Sequence, residues 1–232
     1  MNDHSALLRH VNIFKGLDDA GLRNLGKCLR TLEYQKDDLI VDQDAQGDAL
    51  YIIKEGTVKV VLYGDNGREV ILTLFRAGDF FGEMSLLDGQ PRSASVIATE
   101  KSRILKLSRE DFVAHLKTST ETALNILAEM SRRLRHADEV IGSLALLDVY
   151  GRVARSLISL ARETGESQDE GVLIRERPTQ QDLASMIGTS RETVSRVLSE
   201  FQKRGFLSMQ GKAILLSHAF AAQDIDINAS TS

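Results

Sequence analysis

The chain has 232 residues, 42% of them hydrophobic, a length and composition that suit two ordinary domains better than one. A formal net charge of −4 excludes a general nucleic-acid coat, whose basic surface would dominate its composition, so any nucleic-acid binding must be local. A single cysteine, Cys28, rules out an intramolecular disulfide and a cysteine-ligated iron–sulfur or zinc site within one chain; a buried, inert thiol is the expectation for it. There is no N-terminal apolar signal region and no apolar run near the roughly 18 residues a membrane span needs, which predicts a soluble, cytoplasmic protein.

Leu7, Leu8, Val11, Ile13, Phe14, Leu17, Leu22 and Leu25 predict short amphipathic N-terminal helices. From about Arg30 to Leu107 the pattern turns to short β-type runs, such as Tyr51–Ile53, Val58–Leu62 and Val70–Leu74. Glycines 47, 56, 64, 78, 82 and 89 recur between them, as in an antiparallel roll of many short strands. Asn66-Gly67 lies between two of these runs and supplies the φ > 0 residues of a tight hairpin turn. Ser108 reads as an N-cap with Asp111 in the reciprocal position. A long helix follows from Glu121 to about Leu146. Its Leu127, Met130, Leu134, Ala137, Ile141 and Leu144 step by three and four, a narrow seam that suits a two-stranded coiled coil, against which stands an ordinary core helix packed on its own barrel. Near Asp148 that seam ends and a helix over roughly Tyr150 to Arg162 begins; the polar stretch Glu163 to Gly171 reads as a loop.

The segment TQQDLASMIGTSRETVSRVLSEFQKR, Thr179 to Arg204, reads as two short helices broken at Gly188, the second opening on Ser190. This is helix-turn-helix geometry, which presents the start of its second helix to base edges in the major groove. Arg191 and Arg196 can fork onto guanine O6 and N7, and Glu192 can accept from cytosine N4. Thr179, Gln180, Ser190, Thr193 and Ser195 complete the candidate DNA-binding set. Leu207–Met209 and Ala213–Leu216 flank Gln210-Gly211-Lys212 as two strands of a wing, with Lys212 placed to meet phosphate. Between Pro178 and His218 five Lys or Arg face three Asp or Glu, so this piece is basic within an acidic chain. A disordered tail is expected from Ala221.

A second constellation lies in Gly82-Glu83-Met84-Ser85 and Arg92-Ser93-Ala94. Gly82 permits close backbone approach, Glu83 can accept from a ribose hydroxyl, and Arg92 with Ser93 can donate to a phosphate. Taken singly these residues have duller readings: a turn at Gly82, or a surface Glu83–Arg92 ion pair worth under about 1 kcal/mol. No nucleophile–base set, metal cluster or Walker-type loop is present, and the five histidines show no paired ligand spacing, so no catalytic residue, metal or cofactor is expected.

Gly-Glu followed after eight residues by Arg-Ser-Ala resembles the phosphate cassette of cyclic-nucleotide-binding domains, and Ser190–Arg196 resembles the recognition helix of the CRP/FNR family of bacterial transcription regulators. The resemblance covers nearly the whole chain. It implies an α+β fold: a jelly-roll-like antiparallel β-roll sensor over 1–120, a dimerisation helix and hinge over 121–148, and a winged helix-turn-helix over 149–220, before the tail 221–232. It further implies that Glu83 holds a ribose 2′-hydroxyl, that Arg92 and Ser93 hold a cyclic phosphate, and that a homodimer reads a palindromic operator with TGTGA-like half-sites. RNA polymerase is a partner by the same resemblance. The chain departs from cyclic-AMP-responsive members on the long helix, where a Thr-Ser pair that reaches adenine is replaced by Ala137 and Asp138. Asp138 can accept from the adenine amino group or from guanine. Arg135 and Asp138 also form an Arg-x-x-Asp pattern found in some cyclic di-GMP sites, against which stands a plain surface pair. Cyclic AMP is favoured as allosteric ligand on the intact cassette, with cyclic di-GMP as the alternative. Further alternatives are an enzyme's cyclic-nucleotide regulatory subunit and a ligand-free constitutive DNA binder.

Overall fold

The computed structural model describes residues 4–222. Contacts divide the chain into two compact units, with the boundary between Leu134 and Arg135.

The first unit opens with α1 (Ser5–Leu8), a 3-10 turn (Asn12–Phe14) and α2 (Asp19–Cys28). Eight strands follow: β1 (Arg30–Tyr34), β2 (Leu39–Val41), β3 (Ala49–Glu55), β4 (Thr57–Tyr63), β5 (Glu69–Arg76) and β6 (Phe80–Phe81), then, after helix α3 (Glu83–Asp88), β7 (Ser95–Ala98) and β8 (Ser102–Ser108). They form two four-stranded antiparallel sheets, ordered β1-β8-β3-β6 and β2-β7-β4-β5. This is the expected roll. Helices α4 (Arg109–Thr118) and α5 (Thr120–Leu146) close the element order here, and the unit boundary falls within α5.

Strand β3 explains why its sequence, ALYIIKE, is a continuous apolar run rather than an alternating one. Side chains of a strand alternate between faces, and both faces of β3 are covered. Leu50 and Ile52 join the layer of Leu22, Leu25, Phe112 and Ile126, while Ala49, Tyr51 and Ile53 join Val58, Phe81 and Val96 between the two sheets. Each fully buried aliphatic side chain of this kind stabilises the fold by about 1.5–3 kcal/mol. Ser108 caps α4, its Oγ accepting from Asp111 N at 3.1 Å and donating to the Asp111 carboxylate at 2.6 Å.

Two local expectations are corrected in this unit. The β4–β5 connection spans five residues, and Gly67 alone is left-handed (φ 73); Asn66 contributes its side chain instead, accepting from Arg68 N at 3.0 Å. Cys28 is exposed rather than buried. The apolar stripe of α2 passes through Leu22 and Leu25 to Leu29, which leaves position 28 on its flank.

The second unit carries α6 (Val149–Thr164), β9 (Glu166–Gln168), β10 (Gly171–Ile174), α7 (Gln180–Ile187), α8 (Arg191–Lys203), β11 (Leu207–Gln210), β12 (Ala213–Ser217) and α9 (His218–Ala221). Its sheet runs β11-β12-β10-β9, and its core gathers Leu157, Ile158, Ile174, Leu183, Val194, Val197, Phe201 and Leu216. The expected loop Glu163–Gly171 is instead the end of α6 and an edge strand. Glu166 pairs with Leu173 and Ser167 with Val172. All three β9 residues are exposed, so the strand carries no apolar alternation by which its sequence could announce it. The expected tail from Ala221 begins inside α9, because buried Phe220 packs on Phe201 and Phe206 at 5.3 Å between ring centroids in each case. Residues 223–232 lie outside the described residues. Among the described residues no helix is long and apolar enough to cross a membrane.

Candidate functional site

The candidate cradle, Gly82–Ser85 with Arg92–Ala94, is built where β6 hands over to α3. Gly82 takes a left-handed conformation (φ 87) that turns the chain into the helix. A Cβ there would stand 2.6 Å from Arg92 Nη1 and 3.0 Å from Ala49 O, so conformation and space both require glycine. The returning loop is tied to residues 44 and 45: Arg92 N donates to Ala45 O at 2.8 Å and Asp44 N to Arg92 O at 2.9 Å.

Arg92 is only 4% exposed. Its Nη1 donates to Gly82 O at 2.6 Å and to Ser85 Oγ at 2.8 Å, and its Nη2 donates to Ala49 O at 2.8 Å. Glu83 is 2% exposed. The surface Glu83–Arg92 pair is thus excluded, since neither residue is on the surface and the Glu83 carboxylate pairs elsewhere. Glu83 Oε1 accepts from Arg133 Nη1 at 3.0 Å, while Oε2 is buried with no hydrogen-bond partner among the described residues. Burial pushes the carboxyl above its ordinary range, against the pull of the Arg133 charge. Around this pair Ser85 and Ala94 are buried, whereas Met84 and Ser93 are exposed and their Sδ and Oγ lie 3.9 Å apart.

Arg133 belongs to no motif in the sequence, yet it is the residue that joins the cradle to α5. Its Nη2 donates to Phe80 O at 2.7 Å, its Nε to Glu129 Oε1 at 3.2 Å, and its guanidinium lies 4.6 Å and 4.7 Å from the Phe80 and Phe75 rings. One signal was available: a carboxylate destined for the interior needs a cation, and Arg133 lies one helical turn before Ala137. Arg135, Ala137 and Asp138 are all exposed on α5. The unit boundary separates these three from the cradle residues.

In the second unit, α7 starts on a capping box in which Thr179 Oγ1 accepts from Asp182 N and the Asp182 carboxylate accepts from Thr179 N. Gly188, left-handed at φ 72, stops the helix. Ser190 then caps α8, accepting from Thr193 N at 3.2 Å. Val194, Val197, Leu198 and Phe201 bury one face of α8, and Arg191, Glu192 and Arg196 are exposed on the other. The Glu192 carboxyl is held low by the backbone N–H at the helix start, with a contribution from Ser190. Gln180, Thr193 and Ser195 are half-buried. Lys212 is exposed beside Gly211 at the wing turn, and its carbonyl accepts from Arg177 N at 3.4 Å. Arg177, outside the predicted set, is half-buried and its Nε has no partner among the described residues. No group of three or more His, Cys, Asp or Glu that could hold a metal ion occurs among the described residues.

Residues 31–119 match the cyclic nucleotide-binding domain family, and residues 151–219 match the Crp-like helix-turn-helix domain. The chain is 31% identical over 211 residues to a CRP-like cAMP-activated global transcriptional regulator of Mycobacterium tuberculosis, covering 91% of this chain and 94% of the relative. It is 33% identical over 186 residues to the cAMP-activated global regulator CRP of Escherichia coli, covering 79% and 88%. Among solved structures it resembles the c-di-GMP-responsive global regulator of Xanthomonas campestris, with a TM-score of 0.72 and 26% identity over 86% of this chain and 99% of that one. A roll with a cyclic-nucleotide cassette, a long helix and a Crp-like helix-turn-helix, together with relatives matched over nearly their whole length, show that the chain belongs to the CRP/FNR family of cyclic-nucleotide-responsive transcription regulators and is not an enzyme.

Proposed function

We propose that the chain is a homodimeric, sequence-specific DNA-binding regulator whose sensor takes a cyclic purine nucleotide, cyclic AMP first among them. The observation that carries this is the pair of buried charges in one short segment. Glu83 offers an unpartnered carboxylate oxygen, Oε2, to a ribose hydroxyl, and Arg92 offers a fixed guanidinium to a phosphate nine residues later. Burying Glu83 without full hydrogen bonding is costly, and a ligand that donates to it recovers that cost. Gly82, Met84, Ser85, Ser93 and Ala94 line the same segment.

In this reading 1–120 form the sensor, 121–148 the dimerisation helix and hinge, and 149–220 the DNA reader. Leu127, Leu134, Ile141 and Leu144 of α5 are 50–64% exposed in the single chain, and a second copy is the partner that would cover them. Ligand binding shifts the population of two extensions of that helix through Ala145 to Asp148, and so sets the two α8 helices about 34 Å apart for a palindrome with TGTGA-like half-sites. Arg191, Glu192 and Arg196 read bases; Thr179, Gln180, Ser190, Thr193, Ser195 and Lys212 position the backbone. RNA polymerase meets the surface around α6's end and β9, and the protein acts in the cytoplasm.

A second reading, cyclic di-GMP, is favoured by the exposed Arg135 and Asp138 one turn apart and by the responsiveness of the Xanthomonas campestris relative. Isothermal titration of the purified protein with cyclic AMP, cyclic GMP and cyclic di-GMP separates the two. Heat with cyclic AMP at one site per chain supports the first, and preference for cyclic di-GMP makes Arg135 and Asp138 guanine readers. No heat with any of the three refutes both.

A further inference from the structure

Next to Arg92 stands a charged pair that no motif includes. The Asp48 carboxylate lies between two cations, with Oδ2 2.6 Å from Lys106 Nζ and Oδ1 3.6 Å from Arg92 Nη2. Both cations lie over the Tyr51 ring, Arg92 Cζ at 5.7 Å and Lys106 Nζ at 5.8 Å from its centroid. The backbone of Asp48 is fixed, because its carbonyl accepts from Arg109 N at 2.8 Å. Partial burial works to raise the Asp48 carboxyl, but the Lys106 ammonium outweighs it and holds the group below its ordinary value. Asp48 therefore carries its charge throughout the neutral range.

A count of hydrogens shows what Asp48 does not do. Both Nη1 hydrogens of Arg92 go to Gly82 O and Ser85 Oγ, and one Nη2 hydrogen goes to Ala49 O. These three acceptors orient the guanidinium. Asp48, at 3.6 Å, is beyond hydrogen-bond distance and is held chiefly by Lys106. The geometry points to Asp48 as an internal competitor for Arg92, a carboxylate standing against the Nη2 edge that a ligand's phosphate oxygen would take, with Lys106 as the cation that holds it back. This rests on the reading that Arg92 receives a cyclic phosphate. An entering phosphate meets a like charge at Asp48, which weakens binding; Lys106 neutralises that charge and restores it. The pair sets affinity without touching the base, so its effect is the same for adenine and guanine ligands.

The test is titration calorimetry on the full-length protein with cyclic AMP, cyclic GMP and cyclic di-GMP, comparing wild type, Asp48→Asn, Lys106→Met and the double variant. Asp48 is 61% exposed, so its replacement leaves folding intact, which circular dichroism checks; Asp48→Ser serves as a second neutral variant. Asp48→Asn is expected to bind roughly five- to tenfold tighter, and Lys106→Met weaker by a similar factor. In the double variant the Lys106 effect largely disappears, and the gain from Asp48→Asn shrinks at high salt, a response that a structural role would not give. Unchanged or weaker binding by Asp48→Asn and Asp48→Ser, with wild type binding normally, overturns the competitor and leaves the phosphate reading standing. Silence of wild type and variants with all three nucleotides overturns the phosphate reading, and the competitor with it.

Discussion

Removing the Arg133 charge is the sharpest probe of how the cradle is held to α5. Arg133→Met keeps an apolar stem but deletes the guanidinium, and with it the ion pair to a carboxylate that is only 2% exposed, the hydrogen bond to Phe80 O and the contacts to the Phe75 and Phe80 rings. Breaking a buried pair by removing one partner costs about 3–5 kcal/mol when the remaining charge stays ionised. Protonation of Glu83 caps that cost at low pH. The sign follows from linkage: the Glu83 carboxyl is raised in the folded state by burial, so its stabilising protonation is complete below the unfolded value and is lost as pH rises through the folded one. Without Arg133 the folded value moves higher still. The loss is therefore expected to be about 3 kcal/mol at pH 7.5 and markedly smaller at pH 5. The chain has no tryptophan, and two compact units need not melt together, so calorimetry is the suitable assay. Glu83→Gln in the same background removes the stranded charge and should restore most of the loss. If the loss is equal at both pH values and Glu83→Gln gives no rescue, packing rather than charge fastens Arg133, and the electrostatic account fails.

Further predictions follow from the same geometry. Arg92→Ala abolishes the ligand response and, because Gly82 O, Ser85 Oγ and Ala49 O lose their donor, also lowers stability by about 2–4 kcal/mol; an unchanged melting temperature would refute the hydrogen-bond count. Cyclic-nucleotide binding that uses ionised Glu83 releases protons, so affinity rises with pH through the raised carboxyl, and calorimetry in buffers of different ionisation enthalpy reads the release. Gly188→Ala destabilises by about 1–2 kcal/mol through backbone strain alone, since its Cβ meets Leu144 Cδ2 at an ordinary 3.6 Å; a neutral result would show that the left-handed turn relaxes. Arg191→Ala costs about 1–3 kcal/mol on the specific operator and relaxes one base position, and equal weakening on random DNA would make Arg191 a phosphate contact instead.

What the sequence announces, and what it hides, divides along physical lines. The roll, α5, the break at Gly188 and the wing are legible because each is written in local patterns: β-type runs between glycines, a three–four seam, a left-handed glycine followed by a Ser cap. β9 is silent because an edge strand exposed on every residue needs no apolar alternation. Cys28 misleads because a small apolar side chain on a helix flank carries no signal of its side. Of the cradle, Gly82, Glu83 and Arg92 stand in one short motif. Arg133 and Asp48 do not, since their partners lie 50 and 44 or more residues away and only the folded roll brings them together. Burial follows the same rule. Short-range spacing identifies Glu83 as a candidate acceptor, but whether it is paired on the surface or sealed inside depends on the fold that brings Arg133 of α5 to it.

The position of Arg133 also limits how a ligand at Glu83 can act on the helix. A ligand shifts a conformational equilibrium only by the difference between its interaction energies with the two states. Glu83 Oε1 is committed to Arg133 and Oε2 is unpartnered, so a ribose hydroxyl can donate to the carboxylate without evicting the arginine. Such a donor stabilises the ionised carboxylate, and the ionised carboxylate is the form that holds Arg133. On the proposed reading, ligand and helix would thus strengthen each other through one charge. A neutral isostere, Glu83→Gln, accepts the ribose less well and releases Arg133 at the same time. It should therefore lose coupling as well as affinity: nucleotide concentrations that saturate the variant would still leave its DNA affinity near the unliganded value. A Glu83→Gln protein that binds weakly, yet responds fully once saturated, would show that the signal reaches α5 by a route other than Arg133.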